Sequence, residues 1–303
     1  MIVTGVGSLP HTDAASAVEF VMDTASLPYL PQLPELDEAE GMIAQWSAGL
    51  CGHAATGDDG RAGFRGAREL LARHGPVLRD LKTQATGPVT LAVAMVNRGH
   101  DPATVWDCVV PGLIDLIRAH LGEVAAAAPG SAVTVILDEP SLVAFGPGPA
   151  VPVAARSRAI EAIRDVIGAL DVPVGVHCCA DTDWSLVTES GPSVISWDLA
   201  ELGSGFHQSL EALADAIAAG TQIAWGVVPV TGAALPAAET IAGRYRAALA
   251  ELVVAGAPVQ PMREDAWATP ACGLVGLTVG QAERVMDRVG DVVREITGAL
   301  NGA

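Results

Sequence analysis

The sequence "VGVHCCAD", residues 174–181, places a histidine and two cysteines in succession at the end of an apolar run. Successive side chains of a β-strand point to opposite faces, so His177 and Cys179 would share a face, with Cα atoms about 6.5–7 Å apart. Imidazole nitrogen and thiolate sulfur are ligands of tetrahedral zinc. Cys178 would point away as a small buried hydrophobe. A redox pair of Cys178 with Cys179, or simple core packing, stay open as alternatives, because His-x-Cys alone is unspecific.

The elements that must position these residues alternate between short β-branched runs and longer amphipathic stretches. Helices are predicted over 104–128, 155–170 and 237–256, where apolar residues recur at helical spacing. Eight strand candidates, most of them alternating with helices, favour one (β/α)8 TIM barrel over 1–303 rather than an open sheet. The strand candidates are residues 3–8, 27–33, 86–94, 132–140, 172–179, 193–200, 221–228 and 258–266.

Polar residues gather where these predicted strands end. In a TIM barrel the carboxyl ends of all strands meet at one face, and active sites are built there. For the pair Asp138-Glu139, a strand-end turn or a helix cap is the alternative to a functional role. The candidates for chemistry at this face are Ser8, Asp138, Glu139, His177, Cys179, Asp198 and Cys272.

The composition and the N-terminal sequence bear on nucleic-acid binding and on the cellular compartment. The formal net charge is −18, from 35 acidic and 17 basic residues, so phosphate backbones would be repelled and nucleic acid is not an expected partner. The N-terminus lacks the basic segment of a secretory signal, and no apolar run is long enough to cross a bilayer, so we expect a cytoplasmic protein without membrane contact. Five cysteines do not suggest a disulfide framework, and Cys51 and Cys108 are expected to be structural residues of helices.

Six motifs together resemble a known family. The segments "GVGSLPHT", "TGPVTL", "ILDEPSL", "HCCAD", "VISWDLA" and "TPACGL" occur in the order of the motifs IGSFPQT, TGPVT, IDEPAL, HxCYC, ITIE and NPDCGL. These are motifs of the C-terminal catalytic barrel of cobalamin-independent methionine synthase. The wider group includes zinc-dependent thiol methyltransferases and uroporphyrinogen decarboxylase-like barrels. The resemblance extends from Val3 to Leu274.

The resemblance implies a zinc site and a thiol substrate. By motif, zinc would be held by His177, Cys179 and Cys272, with Asp198 in place of the family's glutamate. Homocysteine is the implied substrate, and its thiol would join the zinc. A free thiol has a pKa of about 8.5, and a bound cation favours the thiolate, which is the nucleophile.

Further residues are implied to hold the amino-acid end of the substrate. Asp138, followed by Glu139, resembles the aspartate that binds the amino group. The backbone around Gly7 and Ser8 resembles the carboxylate site, and Glu35 would supply a second amine-binding carboxylate. The segment around Glu35, "LPQLPELDEAEGM", departs from the family's HGEPERNDM pattern.

Two departures bear on the methyl donor. The full-length family enzyme has an extra N-terminal barrel that helps to bind a polyglutamylated folate, and this sequence contains no counterpart. The family's histidine after the seventh strand is missing from "GVVPVTGAALP", residues 226–236, although His11 or His207 could supply a proton. We therefore expect a corrinoid or a corrinoid protein as donor rather than methyltetrahydrofolate. A zinc thiol alkyltransferase with another acceptor, and a non-catalytic zinc- or thiol-binding paralogue, are the rival hypotheses.

Overall fold

A parallel β-sheet forms the centre of the molecule. The computed structural model describes residues 1–52, 63–148, 152–230 and 234–298. Within these residues the sheet has seven strands in the order β1-β7-β6-β5-β4-β3-β2, and every neighbouring pair is parallel. The strands are β1 (Ile2–Val3), β2 (Asp80–Thr86), β3 (Ala132–Asp138), β4 (Val174–Cys178), β5 (Val194–Asp198), β6 (Gln222–Val228) and β7 (Trp267–Pro270).

The predicted second strand, 27–33, connects the two edges of this curled sheet. On one side, Leu27 N donates to Val3 O at 3.0 Å, and Gln32 N donates to Gly7 O at 3.1 Å. On the other side, Leu30 N donates to Lys82 O of β2 at 2.9 Å. Only isolated bridges form here, because Pro28 and Pro31 lack the N–H groups that a regular ladder requires.

Helices cover the convex face of the sheet. Within the described ranges there are eleven α-helices, and none of them is long and apolar enough to cross a membrane. The predicted helices at 104–128, 155–170 and 237–256 are confirmed as α5, α6 and α10. The helices are α1 (Ala14–Thr24), α2 (Met42–Ser47), α3 (Arg65–His74), α4 (Pro88–Asn97), α5 (Val105–Ala127), α6 (Val153–Gly168), α7 (Trp184–Glu189), α8 (Ser204–Gln208), α9 (Leu210–Ala218), α10 (Ala238–Val254) and α11 (Val279–Gly298).

Two separate apolar clusters lie on the two faces of the sheet. The larger one packs strands against helices and includes Cys178, whose side chain is fully buried, as predicted. The smaller one lies on the concave face. It forms an apolar layer beneath the polar side chains that the same strands present nearer their carboxyl ends. Its members are Leu27, Ile136, Val194, Ala224 and Trp267.

The predicted strand at 86–94, "TGPVTLAVA", is wrong, because this segment begins helix α4. Pro88 occupies the first helical turn, where its missing N–H costs nothing. The real strand, β2, lies just before it in "DLKTQAT". Apolar β-branched residues suggested a strand, but the helix packs its apolar residues against neighbouring helices instead.

The predictions for the other strands are mostly confirmed. Strands β3 to β6 lie inside the predicted segments 132–140, 172–179, 193–200 and 221–228. The last predicted strand, 258–266, is wrong: Gln260–Met262 forms a 3-10 helix, and β7 follows it at Trp267–Pro270. The first strand is shorter than predicted, at Ile2–Val3.

A disulfide corrects the prediction made for two cysteines. Cys51 and Cys108 are bonded to each other across 57 positions of sequence. Cys108 lies in α5 as predicted, whereas Cys51 lies in a 3-10 segment, Leu50–Gly52. The bond therefore ties the segment that follows α2 to the helix layer.

Candidate metal centre and active site

Three of the predicted metal ligands come together at the carboxyl ends of the strands. His177 lies at the end of β4, Cys179 directly follows that strand, and Cys272 follows β7. Their ligand atoms, one imidazole nitrogen and two sulfurs, all lie within 4.8 Å of one another. Strand alternation turns His177 and Cys179 to the concave face, as the sequence predicts.

The imidazole of His177 is held by a neighbour on the next strand. Its Nδ1 lies 2.9 Å from the hydroxyl oxygen of Ser196 in β5. Its Nε2 is buried and has no hydrogen-bond partner among the described residues. A buried imidazole nitrogen without a partner costs free energy unless a ligand such as a metal ion occupies that position.

The two thiols of the cluster have pKa values that are shifted in opposite directions. A hydrogen bond from Cys272 lowers the pKa of Cys179, and a further contribution comes from His177. The same hydrogen bond, together with burial, raises the pKa of Cys272. Thiolate is the form of cysteine that binds metal, and one nitrogen with two sulfurs matches a zinc site. These residues therefore fit the implied metal.

Asp198 lies at the same end of the sheet but is not part of this close group. Among the described residues, the group within 4.8 Å contains His177, Cys179 and Cys272. The Asp198 carboxylate accepts a hydrogen bond from Ala200 N at 2.7 Å, and burial raises its pKa to about 6. Its role as a fourth metal ligand stays a prediction.

Asp138 lies beside His177 at the end of β3. The two residues are register partners in the parallel ladder. Asp138 is 7% exposed, and its Oδ1 has no hydrogen-bond partner within the described part of the chain. Burial raises the pKa of its carboxyl to about 6, while His177 and Lys82 act in the opposite direction. A buried carboxylate oxygen without a partner suits the amine-binding role, which stays a prediction.

Glu139 holds the beginning of α4. Its Oε1 accepts a hydrogen bond from Val89 N at 2.8 Å, and its Oε2 accepts from Thr90 N at 2.8 Å and from the Thr90 hydroxyl at 2.6 Å. The side chain is fully buried, so these contacts match the helix-cap alternative. A direct contact between Glu139 and substrate stays a prediction.

The loop after β1 lies against the loop that carries Cys272. Leu274 N donates to Ser8 O at 2.8 Å, and a Cβ atom on Gly273 would overlap the Ser8 side chain. Gly7 and Ser8 are thus next to the metal cluster, where the carboxylate site is predicted.

Glu35, by contrast, is exposed in a turn. The buried carboxylate of that segment is Glu40, which accepts from Leu33 N at 2.8 Å. A contact between Glu35 and the amino group of the substrate stays a prediction.

Several polar residues of the concave face were not predicted. Lys82 and Gln84 of β2 and Ser196 of β5 are each at most 5% exposed. Lys82, His177 and Ser196 line one small cavity. Polar residues at alternate positions of "DLKTQAT" were the available signal, because period-two polarity marks one face of a strand.

The two histidines considered as proton donors contact the helix layer. His207 of α8 lies 3.1 Å from the carboxylate of Glu251 in α10. The ring of His11 packs against Phe20 of α1, with centroids 5.1 Å apart. Residues 231–233, in the segment that lacks the family's histidine, lie outside the described residues.

Comparison with known proteins identifies the family. Residues 69–295 match the family model described as the catalytic domain of cobalamin-independent synthase. The match covers well over half of the chain and includes Asp138 and all three residues of the metal cluster. The chain belongs to this family. A search of curated protein sequences gives no match.

Two solved structures share the fold. A methyltransferase from Methanosarcina mazei superposes with a TM-score of 0.58 at 15% identity, over 96% of this chain and 87% of that one. A B12-independent methionine synthase from a Shewanella species, in complex with selenomethionine, superposes with a TM-score of 0.53 at 16% identity. That alignment covers 74% of this chain and 64% of the synthase, so this chain spans less than two thirds of its length.

Proposed function

We propose that this protein is a zinc-dependent S-methyltransferase that converts homocysteine to methionine. One observation carries the proposal: a histidine and two cysteines converge within 4.8 Å at the strand ends of a cobalamin-independent synthase domain. The complex of the Shewanella synthase with selenomethionine, a methylated product analogue, supports an amino acid of this size as ligand.

Each residue of the cluster has a proposed role. His177, Cys179 and Cys272 hold zinc, and Asp198 is the proposed fourth ligand. Bound zinc favours the thiolate form of the substrate thiol. Asp138 accepts hydrogen bonds from the substrate amine, and the Gly7-Ser8 backbone binds the carboxylate. Glu139 positions α4, and Glu35 is retained as a second amine-binding residue.

We propose that the complete fold is a single (β/α)8 barrel over 1–303. The hydrogen bonds of segment 27–33 with both edges of the sheet support closure. The apolar cluster on the concave face supports it as well, because an open sheet would expose these side chains.

The corrinoid donor predicted from the sequence is not retained. The family to which the chain belongs is cobalamin-independent, and this description argues against a corrinoid or a corrinoid protein. We propose an N-methylated pteroylglutamate such as methyltetrahydrofolate as donor. Transfer from such a tertiary amine requires protonation or other activation of the leaving nitrogen.

Methionine formation tests the proposal. Zinc-loaded protein is incubated with homocysteine and either methyltetrahydrofolate or methylcobalamin, and methionine is measured by mass spectrometry. We expect faster formation with the folate, loss of activity in Cys272→Ser, and retained activity in Cys178→Ser, whose thiol points away from the site.

The same experiment separates the rival functions. Asp138→Asn should keep zinc and bind homocysteine more weakly. Methylation of another thiol, but not of homocysteine, would identify an alkyltransferase with a different acceptor. Zinc and thiol binding without turnover by any donor would identify a non-catalytic paralogue. Either result would overturn the proposed reaction.

A further inference from the structure

A buried lysine lies on the concave face beneath the metal cluster. Lys82 is the third residue of β2 and is only 3% exposed. Its Nζ donates to Val6 O at 2.6 Å and to Gln84 Oε1 at 3.2 Å. It forms no ion pair within 4.0 Å with any described residue, although burying a charge without a partner is costly.

The contacts of Lys82 fix the loop that precedes the predicted carboxylate site. Val6, which accepts from the ammonium group, stands directly before Gly7 and Ser8. Gln84 in turn donates to Leu30 O at 2.6 Å, and a Cβ on Gly7 would lie 2.5 Å from the Gln84 side chain. Lys82 and Gln84 therefore determine where the backbone of Gly7 and Ser8 lies.

The charges on this face form a complementary pair. Asp138 carries the buried carboxylate, on β3, and Lys82 carries the buried ammonium, on the adjacent β2. The two charges attract each other without direct contact. A site with one buried anion and one buried cation complements a zwitterion, which carries one ammonium and one carboxylate.

We propose that Lys82 is a positioning and specificity-determining residue that selects thiols bearing a carboxylate. It holds the Val6–Ser8 backbone in place, and its positive charge favours the negative end of the substrate. This inference rests on the proposed function, because it concerns the substrate of the same metal cluster.

Binding of a thiol panel tests the role without turnover. Zinc-loaded wild type, Lys82→Met and Lys82→Gln are titrated by calorimetry with homocysteine, 3-mercaptopropionate, cysteamine and 1-propanethiol. We expect Lys82→Met to lose roughly tenfold in affinity for the two carboxylate-bearing thiols and to keep its affinity for cysteamine and propanethiol within about twofold. Lys82→Gln, which keeps a donor for Val6 O, should retain part of the preference.

Thr83→Val is the matched control. Thr83 is also buried in β2 but faces outward, where its hydroxyl lies 2.9 Å from His120 Nε2. This variant should lose stability yet keep the preference of the wild type. If the role of Lys82 were merely structural, Lys82→Met would bind all four thiols more weakly and by the same factor.

The possible failures are distinguishable. A wild type that binds none of the thiols would refute the proposed function and this inference with it. A wild type that binds 3-mercaptopropionate and propanethiol equally would refute the role of Lys82 alone, even if neither Lys82 variant folds. Unchanged selectivity in Lys82→Met would do the same.

Discussion

At the scale of single residues, the orientation of His177 depends on Ser196. The hydroxyl of Ser196 forms a hydrogen bond with Nδ1 of the imidazole, and the buried Nε2 is therefore left for a ligand. Residues that hold a metal-bound histidine in this way set both its ring orientation and its tautomer.

We predict that Ser196→Ala weakens zinc binding without removing it. The expected loss of affinity is about tenfold to a hundredfold, which is typical when a partner of a metal-bound histidine is removed. Competition with a chromophoric chelator measures it. Ser190→Ala is the control, because that buried hydroxyl donates to Val187 O within the helix layer. Equal zinc affinity of wild type and Ser196→Ala would show that the serine does not support the site.

The metal cluster itself could largely be predicted from the sequence. His177 and Cys179 follow from strand alternation, and the same alternation turns Cys178 into the outer core. Ser196 and Lys82 could not be predicted, because their roles depend on which strands become neighbours. Their hydrogen bonds to His177 and Val6 join positions 19 and 76 residues apart.

At the scale of elements, α4 is held by a residue distant in sequence. The backbone N–H groups at the start of a helix lack partners within the helix, and Glu139 accepts hydrogen bonds from two of them. Since Glu139 directly follows Asp138 at the end of β3, this contact also couples the helix to the predicted amine site.

We predict that Glu139→Ala destabilises the fold by roughly 3 kcal/mol, because two buried N–H groups lose their carboxyl acceptor. Urea denaturation measures the free energy of unfolding. In the control Glu211→Ala, an acidic residue of the first turn of α9 is removed, and because this residue is exposed the loss should stay below about 1 kcal/mol. Similar losses in both variants would contradict the role of Glu139.

The dependence of α4 on Glu139 explains why this region was predicted wrongly. Read locally, "TGPVTLAVA" resembles a strand, since the group that caps the helix lies about 50 positions away. Strand β2 was missed because its concave side carries Lys82, Gln84 and Thr86 rather than apolar residues. Strands β3 to β6 were predictable from their apolar runs: β3, β5 and β6 contribute residues to the apolar clusters on both faces, and β4 contributes to the larger one.

At the scale of the whole molecule, the disulfide joins the segment that follows α2 to helix α5. Cys51 follows α2, and Met42 at the start of α2 accepts a hydrogen bond from the Thr86 hydroxyl at the end of β2. The bond to Cys108 in α5 therefore restrains a segment beside the strand ends. Its pairing could not be read from five scattered cysteines, because only the fold brings these two together.

We predict that reduction of this disulfide lowers the free energy of unfolding by up to about 4 kcal/mol, as loop closure over 57 positions implies. Thermal unfolding with and without a phosphine reductant measures the effect. The double variant Cys51→Ala/Cys108→Ala should unfold at the lower temperature and show no response to reductant. A wild type equally insensitive to reductant would contradict a stabilising disulfide.

The central claim is that His177, Cys179 and Cys272 form a zinc site, and zinc content per purified chain tests it most directly. We predict about one zinc per chain in the wild type and in Cys178→Ser, and a large loss in Cys179→Ser and in Cys272→Ser. Cys178→Ser is the matched control, because it changes the adjacent thiol on the opposite face of the same strand. Full zinc occupancy in both Cys179→Ser and Cys272→Ser, measured by elemental analysis, would contradict the account.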